Sequence, residues 1–132
     1  MFVDASAIVA ILTRESDADG LADRLEAGAE PITSPIAIFE AVLGICRKRQ
    51  VGVEEVQEEV RAFLGMAGIG VVAISDGDAG LALKAFDRYG KGRGHPAQLN
   101  LGDCFAYACA KARHVPVLCK GDDFRQTDIE TA

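Results

Sequence analysis

An acidic residue, Glu40, lies in a part of this sequence where acids are uncommon. It falls within Ile36–Cys46, a segment in which every other residue is apolar or glycine. A helix that is apolar on all sides is buried, so we expect the Glu40 carboxylate to be buried too. An unpaired buried carboxylate costs free energy comparable to the stability margin of a small protein. Glu40 therefore needs a cation, a hydrogen-bond donor or a proton, unless it reaches solvent or pairs with a lysine.

Two further acids stand at the ends of predicted elements. Asp4 closes the apolar segment Met1–Val3, and Asp103 precedes the apolar segment Cys104–Ala110. Both also have an ordinary explanation. Aspartate is a good helix N-cap, and Asp103, three residues after Asn100, falls in a first helical turn, where the helix dipole favours negative charge. Either role explains the presence of each residue.

An acidic pair, Asp122 and Asp123, follows the last predicted strand. The pair either forms a polar turn or lies with Asp4 at the carboxyl ends of the strands. Carboxylates that converge in a region of low dielectric repel one another, and hard divalent cations relieve that repulsion. Mg²⁺ and Mn²⁺ prefer carboxylate oxygen and water as ligands. No histidine has metal-ligand spacing, and no phosphate-binding glycine loop or nucleophilic serine motif is present. The acids therefore predict a divalent cation site.

Short apolar strands alternate with helices along the chain, which is typical of a parallel sheet covered on both faces. We predict an α/β fold, a three-layer α/β/α sandwich with a central parallel sheet, in a single domain over residues 1–132. Ligands of such sheets bind at the carboxyl ends of the strands. The predicted strands are Met1–Val3, Pro31–Thr33, Ile69–Ile74 and Val115–Cys119. The predicted helices are Ser6–Leu12, Asp17–Ala27, Ile36–Arg49, Val53–Met66, one from Ser75 to Tyr89, and Leu101–Arg113.

The composition narrows the class of protein. The chain has 132 residues, 49% hydrophobic and 26% charged, which suits a packed soluble domain. No apolar run approaches the ~20 residues that span a bilayer, and Asp4 interrupts the first apolar stretch, so we expect neither a membrane segment nor a signal peptide. The cysteines lack CxxC spacing and are expected to be buried thiols in a reducing cytoplasm.

The formal net charge of −6 argues against a protein that grips nucleic acid by bulk positive charge, although it allows a bound metal to meet a phosphate. Two local basic clusters are candidates for phosphate contacts. The first contains Lys84, Arg88, Lys91 and Arg93, and the second is Arg47–Arg49, which is more simply explained as a solvated helix end.

The acids lie in motifs that extend over nearly the whole chain: FVDASA at 2–7, Ser34-Pro35 followed by Glu40, LNLGDCFAYA at 99–108, and LCKGDDF at 118–124 with Thr127-Asp128. Together these motifs resemble the PIN-domain ribonucleases and, more narrowly, the VapC toxins of bacterial type II toxin–antitoxin pairs. The resemblance implies a Mg²⁺-dependent endoribonuclease, with Mn²⁺ as a substitute, that cleaves RNA as a homodimer and is blocked by a cognate VapB-like antitoxin.

The resemblance also implies which residues form the site. The acidic quartet of the family falls on Asp4, Glu40, Asp103 and Asp122, with Asp123 as the alternative to Asp122; these residues are expected to be catalytic and to hold the metal. Ser6 and Asn100 are candidates for hydrogen bonds to them. An antitoxin is expected to place an arginine or lysine among the acids and to pack apolar side chains on Ile8, Ile11 and Leu12.

Two other functions fit parts of the sequence. A phosphatase or phosphotransferase could use Asp4 as its nucleophile, but it would want a second aspartate two residues later, where this chain has Ser6. A non-catalytic binding module could use all of the acids as caps, but that interpretation does not account for Glu40.

Overall fold

The computed structural model describes residues 1–132 and contains a four-stranded sheet in which every pairing is parallel. The strands are β1 (Phe2–Val3), β2 (Ile32–Thr33), β3 (Gly70–Val71) and β4 (Val117–Leu118). Their spatial order is β3-β2-β1-β4, so β1 is central and the order reverses between β1 and β4. Both residues of β1 and both of β4 are fully buried. The parallel sheet is therefore confirmed, with β1 and β4 at its core.

Helices surround this sheet and complete the predicted sandwich. They are α1 (Ala5–Leu12), α2 (Ala18–Ala27), α3 (Pro35–Arg49), α4 (Val53–Met66), α5 (Asp76–Tyr89) and α6 (Leu101–Ala112). The helix α1 packs against α2 and α3, α3 packs against α4, and α5 packs against α6. Helix α6 also contacts β1, β4 and α3, so it lies at the centre of the structure.

Two helices begin at the capping residues that the sequence predicts. Ser34 caps α3, its hydroxyl accepting a hydrogen bond from the backbone N–H of Ala37 at 3.2 Å, and Pro35 occupies the first turn. Ser75 and Asp78 form a reciprocal capping box at the start of α5. These caps separate each helix from the strand before it.

The third strand is shorter and more exposed than its sequence suggests. The valine- and isoleucine-rich segment Ile69–Ile74 predicts a strand of six residues, whereas β3 contains only Gly70 and Val71, both exposed. The physical reason is its place at the edge of the sheet, where one side has no neighbouring strand. The prediction of the strand was correct in position and wrong in extent.

No helix in the structure combines the length and apolar character needed to cross a membrane. All the cysteines are free thiols, and Cys104, Cys109 and Cys119 are buried. Burial raises the pKa of Cys104 to about 11 and that of Cys119 to about 12, which keeps these thiols protonated. They act as small apolar core residues.

Asp128 anchors the segment after β4 to helix α6. Its carboxylate accepts hydrogen bonds from the Tyr107 hydroxyl at 2.6 Å and from Lys111 Nζ at 3.0 Å. The Tyr89 hydroxyl oxygen accepts a hydrogen bond from the Asp128 backbone N–H at 3.3 Å. The Tyr107 hydrogen bond, followed by those of Lys111, lowers the pKa of Asp128 to about 2.

This anchor should stabilise the fold in a pH-dependent way. Because the pKa of Asp128 is lower in the folded chain, its contribution is fully present above about pH 4 and is lost as the pH falls towards 2. We expect Asp128→Asn to reduce the free energy of unfolding at pH 7 by about 1 kcal/mol, a modest value because the side chain is partly exposed. Urea unfolding at pH 7, 4 and 2.5 measures the difference, which should shrink as the pH falls.

Asp87→Asn is the matched control, because Asp87 is an exposed acid on α5 whose ion pair is with Arg93. It should change the urea midpoint little at any pH. An Asp128→Asn effect that stays constant from pH 7 to pH 2.5 would contradict the anchor.

Candidate active site

Asp4 is at once a helix cap and a buried acid at the carboxyl end of the central strand. It follows β1 directly, is 4% exposed, and caps α1. Ser6 donates two hydrogen bonds to the same oxygen, Asp4 Oδ2, from its backbone N–H at 3.0 Å and from its hydroxyl at 2.6 Å. The Ser6 hydroxyl oxygen in turn accepts from the backbone N–H of Lys120 at 3.0 Å. Ser6 therefore ties the ends of β1 and β4 together through Asp4.

Asp103 has the same double character at the start of α6. Its Oδ2 accepts from the backbone N–H of Asn100 at 3.0 Å, while Asn100 Oδ1 accepts from the backbone N–H of Asp103 at 2.9 Å. This capping box fixes the carboxylate in the first turn and uses only one of its oxygens for the cap. Capping and site formation were alternatives in the sequence, and the structure places both acids so that they can do both.

Glu40 reaches the same place from α3, and it does so over a glycine. A Cβ at residue 102 would overlap the Glu40 carboxylate, with Oε1, Oε2 and Cδ as its nearest atoms. The glycine at the second position of α6 therefore lets the Glu40 carboxylate approach the helix that carries Asp103. Gly102 lies in the motif at 99–108 but was not predicted as a site residue. Its local signal is a glycine in the first turn of a helix, where most other residues are better helix formers.

These three acids line one cleft of about 490 Å³ at the carboxyl end of the sheet. The lining residues are Asp4, Ala5, Ser6, Val9, Glu15, Phe39, Glu40, Leu43, Gly44, Arg47, Asn100, Asp103 and Lys120. They come from α1, α3, the start of α6 with its cap Asn100, the connection between α1 and α2, and the segments after β1 and β4. The cleft lies where the order of the strands reverses, as expected for a parallel sheet.

The acids perturb one another inside the cleft. Burial first, and then the negative charges of Asp4 and Asp103, raise the pKa of Glu40 to about 7. Burial also raises the pKa of Asp103 to about 6, against the hydrogen bond from Asn100. Burial raises the pKa of Asp4 above its usual value in spite of the Ser6 hydrogen bonds. Mutual repulsion therefore operates between residues from separate elements.

This donor set suits a hard divalent cation. Carboxylate oxygens are the ligands that Mg²⁺ and Mn²⁺ prefer, and a cation would favour the charged forms that burial disfavours. The side chains are not already gathered at ligand distance, since no group of three or more potential ligands meets that geometry. Mg²⁺ usually keeps several water ligands and binds through one or two carboxylates, so water would complete the coordination of a cation in this cleft.

The structure distinguishes the two acids that follow β4. Asp122 is 77% exposed and lies 3.4 Å from the Arg125 guanidinium. After burial, the negative charges of Asp4 and Asp123 also raise the pKa of Asp103. Neither residue lines the cleft. The expected site residue Asp122 thus faces an arginine, and Asp123 is the member of the pair whose charge affects Asp103.

The two basic clusters are placed differently. Arg47 lines the cleft, whereas the side chains of the 84–93 cluster do not. In that cluster Arg93 pairs with Asp87 at 2.7 Å and Arg88 lies 3.8 Å from Asp128. Glu15 and Lys120 line the cleft although neither was predicted to do so. Glu15 lies in the connection between α1 and α2 and belongs to no motif, and Lys120 lies in the motif at 118–124 beside the acids.

The apolar surface expected beside the acids is also different. Ile8 is fully buried, and Ile11 and Leu12 are half-buried, so the expected stripe on α1 is wrong as an exposed surface: Ile8 packs into the core. Instead, Phe39 and Leu101 are exposed, each 68%, on either side of Glu40 and Gly102.

Comparisons with known proteins agree with this geometry. The PIN domain family matches residues 1–130. The chain is 42% identical to VapC ribonuclease R02377 of Rhizobium meliloti, over 97% of this chain and 98% of that protein. It is 41% identical to ribonuclease VapC42 of Mycobacterium tuberculosis, over 100% of this chain and 98% of that protein.

Solved structures show the same fold. The crystal structure of Mycobacterium tuberculosis VapC20, described as a sarcin-ricin loop cleaving toxin, aligns with a TM-score of 0.77 at 16% identity, over 99% of this chain and 97% of that one. A toxin–antitoxin complex from Klebsiella pneumoniae aligns with a TM-score of 0.68 at 18% identity, over 93% of this chain and 88% of that one.

The contact between Glu40 and Gly102 generates a prediction. Gly102→Ala should displace the Glu40 carboxylate and weaken Mn²⁺ binding by about 10-fold or more, since misplaced ligands lose affinity. Gly80→Ala is the matched control, because Gly80 lies inside α5 with open space around it; alanine there should raise stability by up to about 1 kcal/mol. Calorimetric Mn²⁺ titration of both variants makes the comparison. Equal Mn²⁺ affinities in wild type and Gly102→Ala would contradict it.

Proposed function

The chain belongs to the PIN-domain family and within it to the VapC ribonucleases, and from this membership we propose that Asp4, Glu40, Asp103 and Asp123 form its metal-dependent RNA-cleaving site. The observation that carries the proposal is the convergence of three carboxylates from separate elements in one cleft, where burial and then the charges of Asp4 and Asp103 raise the pKa of Glu40. A VapC ribonuclease is the toxin of a toxin–antitoxin pair and a hydrolase of RNA.

Asp4, Glu40 and Asp103 are the residues that would hold the cation, which we propose to be Mg²⁺, with Mn²⁺ as a substitute. When bound, the cation supplies an activated water and relieves the negative charge of the scissile phosphate. Ser6 orients Asp4, and Asn100 orients Asp103, so that each carboxylate keeps its place when it loses its proton. Without the cation, Glu40 has a pKa of about 7 and is partly protonated near neutral pH, and a bound cation would favour its charged form.

Asp123 completes the acidic set in this proposal, in place of Asp122. Its support is the effect of its charge on Asp103, whereas the Asp122 carboxylate faces Arg125. Asp123 adjoins Asp122, the residue on which the family motif falls, and therefore follows β4 at the same end of the sheet.

The other two functions have less support. A nucleophilic aspartate must reach a phosphorus atom, but Asp4 is 4% exposed and its Oδ2 already accepts two hydrogen bonds from Ser6. A non-catalytic binding module, in which the acids serve only as helix caps, gives no role to Glu40 and its raised pKa. No observation favours either over a nuclease.

We also propose an antitoxin partner that places an arginine or lysine in the acidic cleft. Arginine pairs with carboxylates through a fixed fork of donors, and it would compete with the cation for the same charge. Phe39 and Leu101, rather than α1, offer the exposed apolar surface beside the acids. The homodimer and the cytoplasmic location remain predictions.

The direct test of the proposed site is neutralisation of single acids. Asp4→Asn and Asp103→Asn should each reduce Mg²⁺-dependent RNA cleavage by more than about 100-fold, because each removes a carboxylate that would hold the cation. Asparagine is a good N-cap at residue 4, and at residue 103 its side-chain oxygen can still accept from the Asn100 backbone N–H, so both variants should melt no lower than wild type in EDTA. Cleavage of total RNA, with wild type in EDTA as the blank, gives the readout.

Asp23→Asn, a change of the same charge on the exposed face of α2, is the control and should cleave normally. Full activity in either site variant would remove that residue from the set, and a large fall in melting temperature in both would show that capping is their main role.

A paired comparison tests the fourth acid. Asp123→Asn should slow cleavage and lower the pKa of Asp103, because one of the charges that raise it is gone. Asp122→Asn has the same change in charge and removes only an exposed ion pair, so it should do neither. Carboxyl NMR titration of Asp103 and the cleavage rate are both measured. Slower cleavage in Asp122→Asn alone would restore Asp122 as the fourth acid.

A further inference from the structure

One carboxylate at the rim of the cleft holds two lysines. Glu15 pairs through Oε1 with Lys48 at the end of α3, and through Oε2 with Lys120, just after β4, at 2.6 Å. Glu15 and Lys120 line the same cleft as the acids, and Arg47 lies beside them. The cluster of Glu15, Arg47, Lys48 and Lys120 is named the basic rim.

The basic rim resembles an anion-binding site in which the Glu15 carboxylate takes the place of the anion. Each carboxylate oxygen faces a different ammonium group, as the two non-bridging oxygens of a phosphodiester would. The lysines come from elements far apart in sequence, so the fold and not a local charge run brings them together. Both lysine side chains remain 42% exposed, and the rim is therefore open to a ligand from solution.

Charge balance shows why the occupant matters. Hydrogen bonds from Lys120 and then Lys48 lower the pKa of Glu15, so it stays ionised at neutral pH. Asp17 Oδ1 also lies 3.8 Å from Lys120 Nζ. The two lysines are thus neutralised in the free protein, and Arg47 is the cation of the cleft with no ion pair.

We propose that Lys48, Lys120 and Arg47 form a subsite for a phosphate of the RNA backbone beside the acidic cleft, and that Glu15 occupies this subsite until RNA displaces it. The inference rests on the proposed function. RNA is favoured as the ligand because a chain with net charge −6 must supply cations close to the scissile phosphate. Glu15 then limits RNA affinity, and it keeps the lysines positioned for the exchange.

The test compares two substitutions of equal charge. Glu15→Gln frees the two lysines, while Glu59→Gln frees Arg49, which pairs with Glu59 at 2.6 Å outside the cleft. A fluorescein-labelled single-stranded RNA 20-mer is titrated with each protein in EDTA, which prevents cleavage. We expect Glu15→Gln to bind the RNA several-fold more tightly than Glu59→Gln does.

The lysines themselves give a second measurement. Lys48→Ala and Lys120→Ala should each weaken RNA binding, and each should reduce the slope of log affinity against log salt by about 0.7, the value for one contact with a single-stranded phosphate. These variants decide the question alone if Glu15→Gln does not fold, because they leave the Asp4 and Asp103 caps intact.

Failure of the proposed function and failure of the phosphate subsite give different results. Wild type that neither binds nor cleaves RNA would overturn the proposed function. RNA cleavage by wild type, with Glu15→Gln no tighter than Glu59→Gln and with unchanged salt slopes in the lysine variants, would overturn the subsite alone. Unchanged RNA binding in the lysine variants, but weaker binding of labelled polyglutamate, would assign the rim to an acidic protein partner and also overturn it.

Discussion

Repulsion between carboxylates at the end of β1 is the constraint on which the structure depends. Asp4, Glu40 and Asp103 lie close enough for their charges to interact where burial already disfavours charge. In the free protein they are accommodated by taking up protons more readily, which is what raised pKa values mean. In the proposed function, the same repulsion would favour a cation in the cleft, because the cation would offset the free-energy cost of placing these carboxylates close together.

The fold holds these charges by using two of them for its own secondary structure. Asp4 caps α1, and Asp103 is the partner of the Asn100 cap in the capping box of α6, so the hydrogen bonds that begin each helix also fix a carboxylate of the cleft. A free side chain would rotate away from its neighbours, whereas a capping side chain cannot leave without loss of the cap. Glu40 has no such bond, and its position depends instead on packing over Gly102. Stability and site geometry therefore share the same atoms.

Much of this arrangement was predictable from the sequence, and the exceptions have physical causes. Periodicity and caps located the helices, and an acid in the apolar segment of α3 identified Glu40, because both signals are local. The edge exposure of β3 was not predictable, since it depends on which strands become neighbours. The choice between Asp122 and Asp123 depends on side-chain direction after β4, which adjacent residues of identical type cannot reveal. Glu15 was missed because its partners, Lys48 and Lys120, are brought to it only by the folded chain.

The acidic net charge and the handling of RNA are reconciled by where the cations lie. Four of the seven basic side chains in the clusters seen in the sequence are already paired: Lys48 with Glu15, Arg49 with Glu59, Arg88 with Asp128, and Arg93 with Asp87. Such pairs hold elements together and leave little field to attract a polyanion from a distance. In the proposed function, the cation and the basic rim would act on phosphates mainly after close approach to the cleft. RNA binding would then be stronger when the acidic site is occupied, since part of the positive charge that RNA meets would be supplied there.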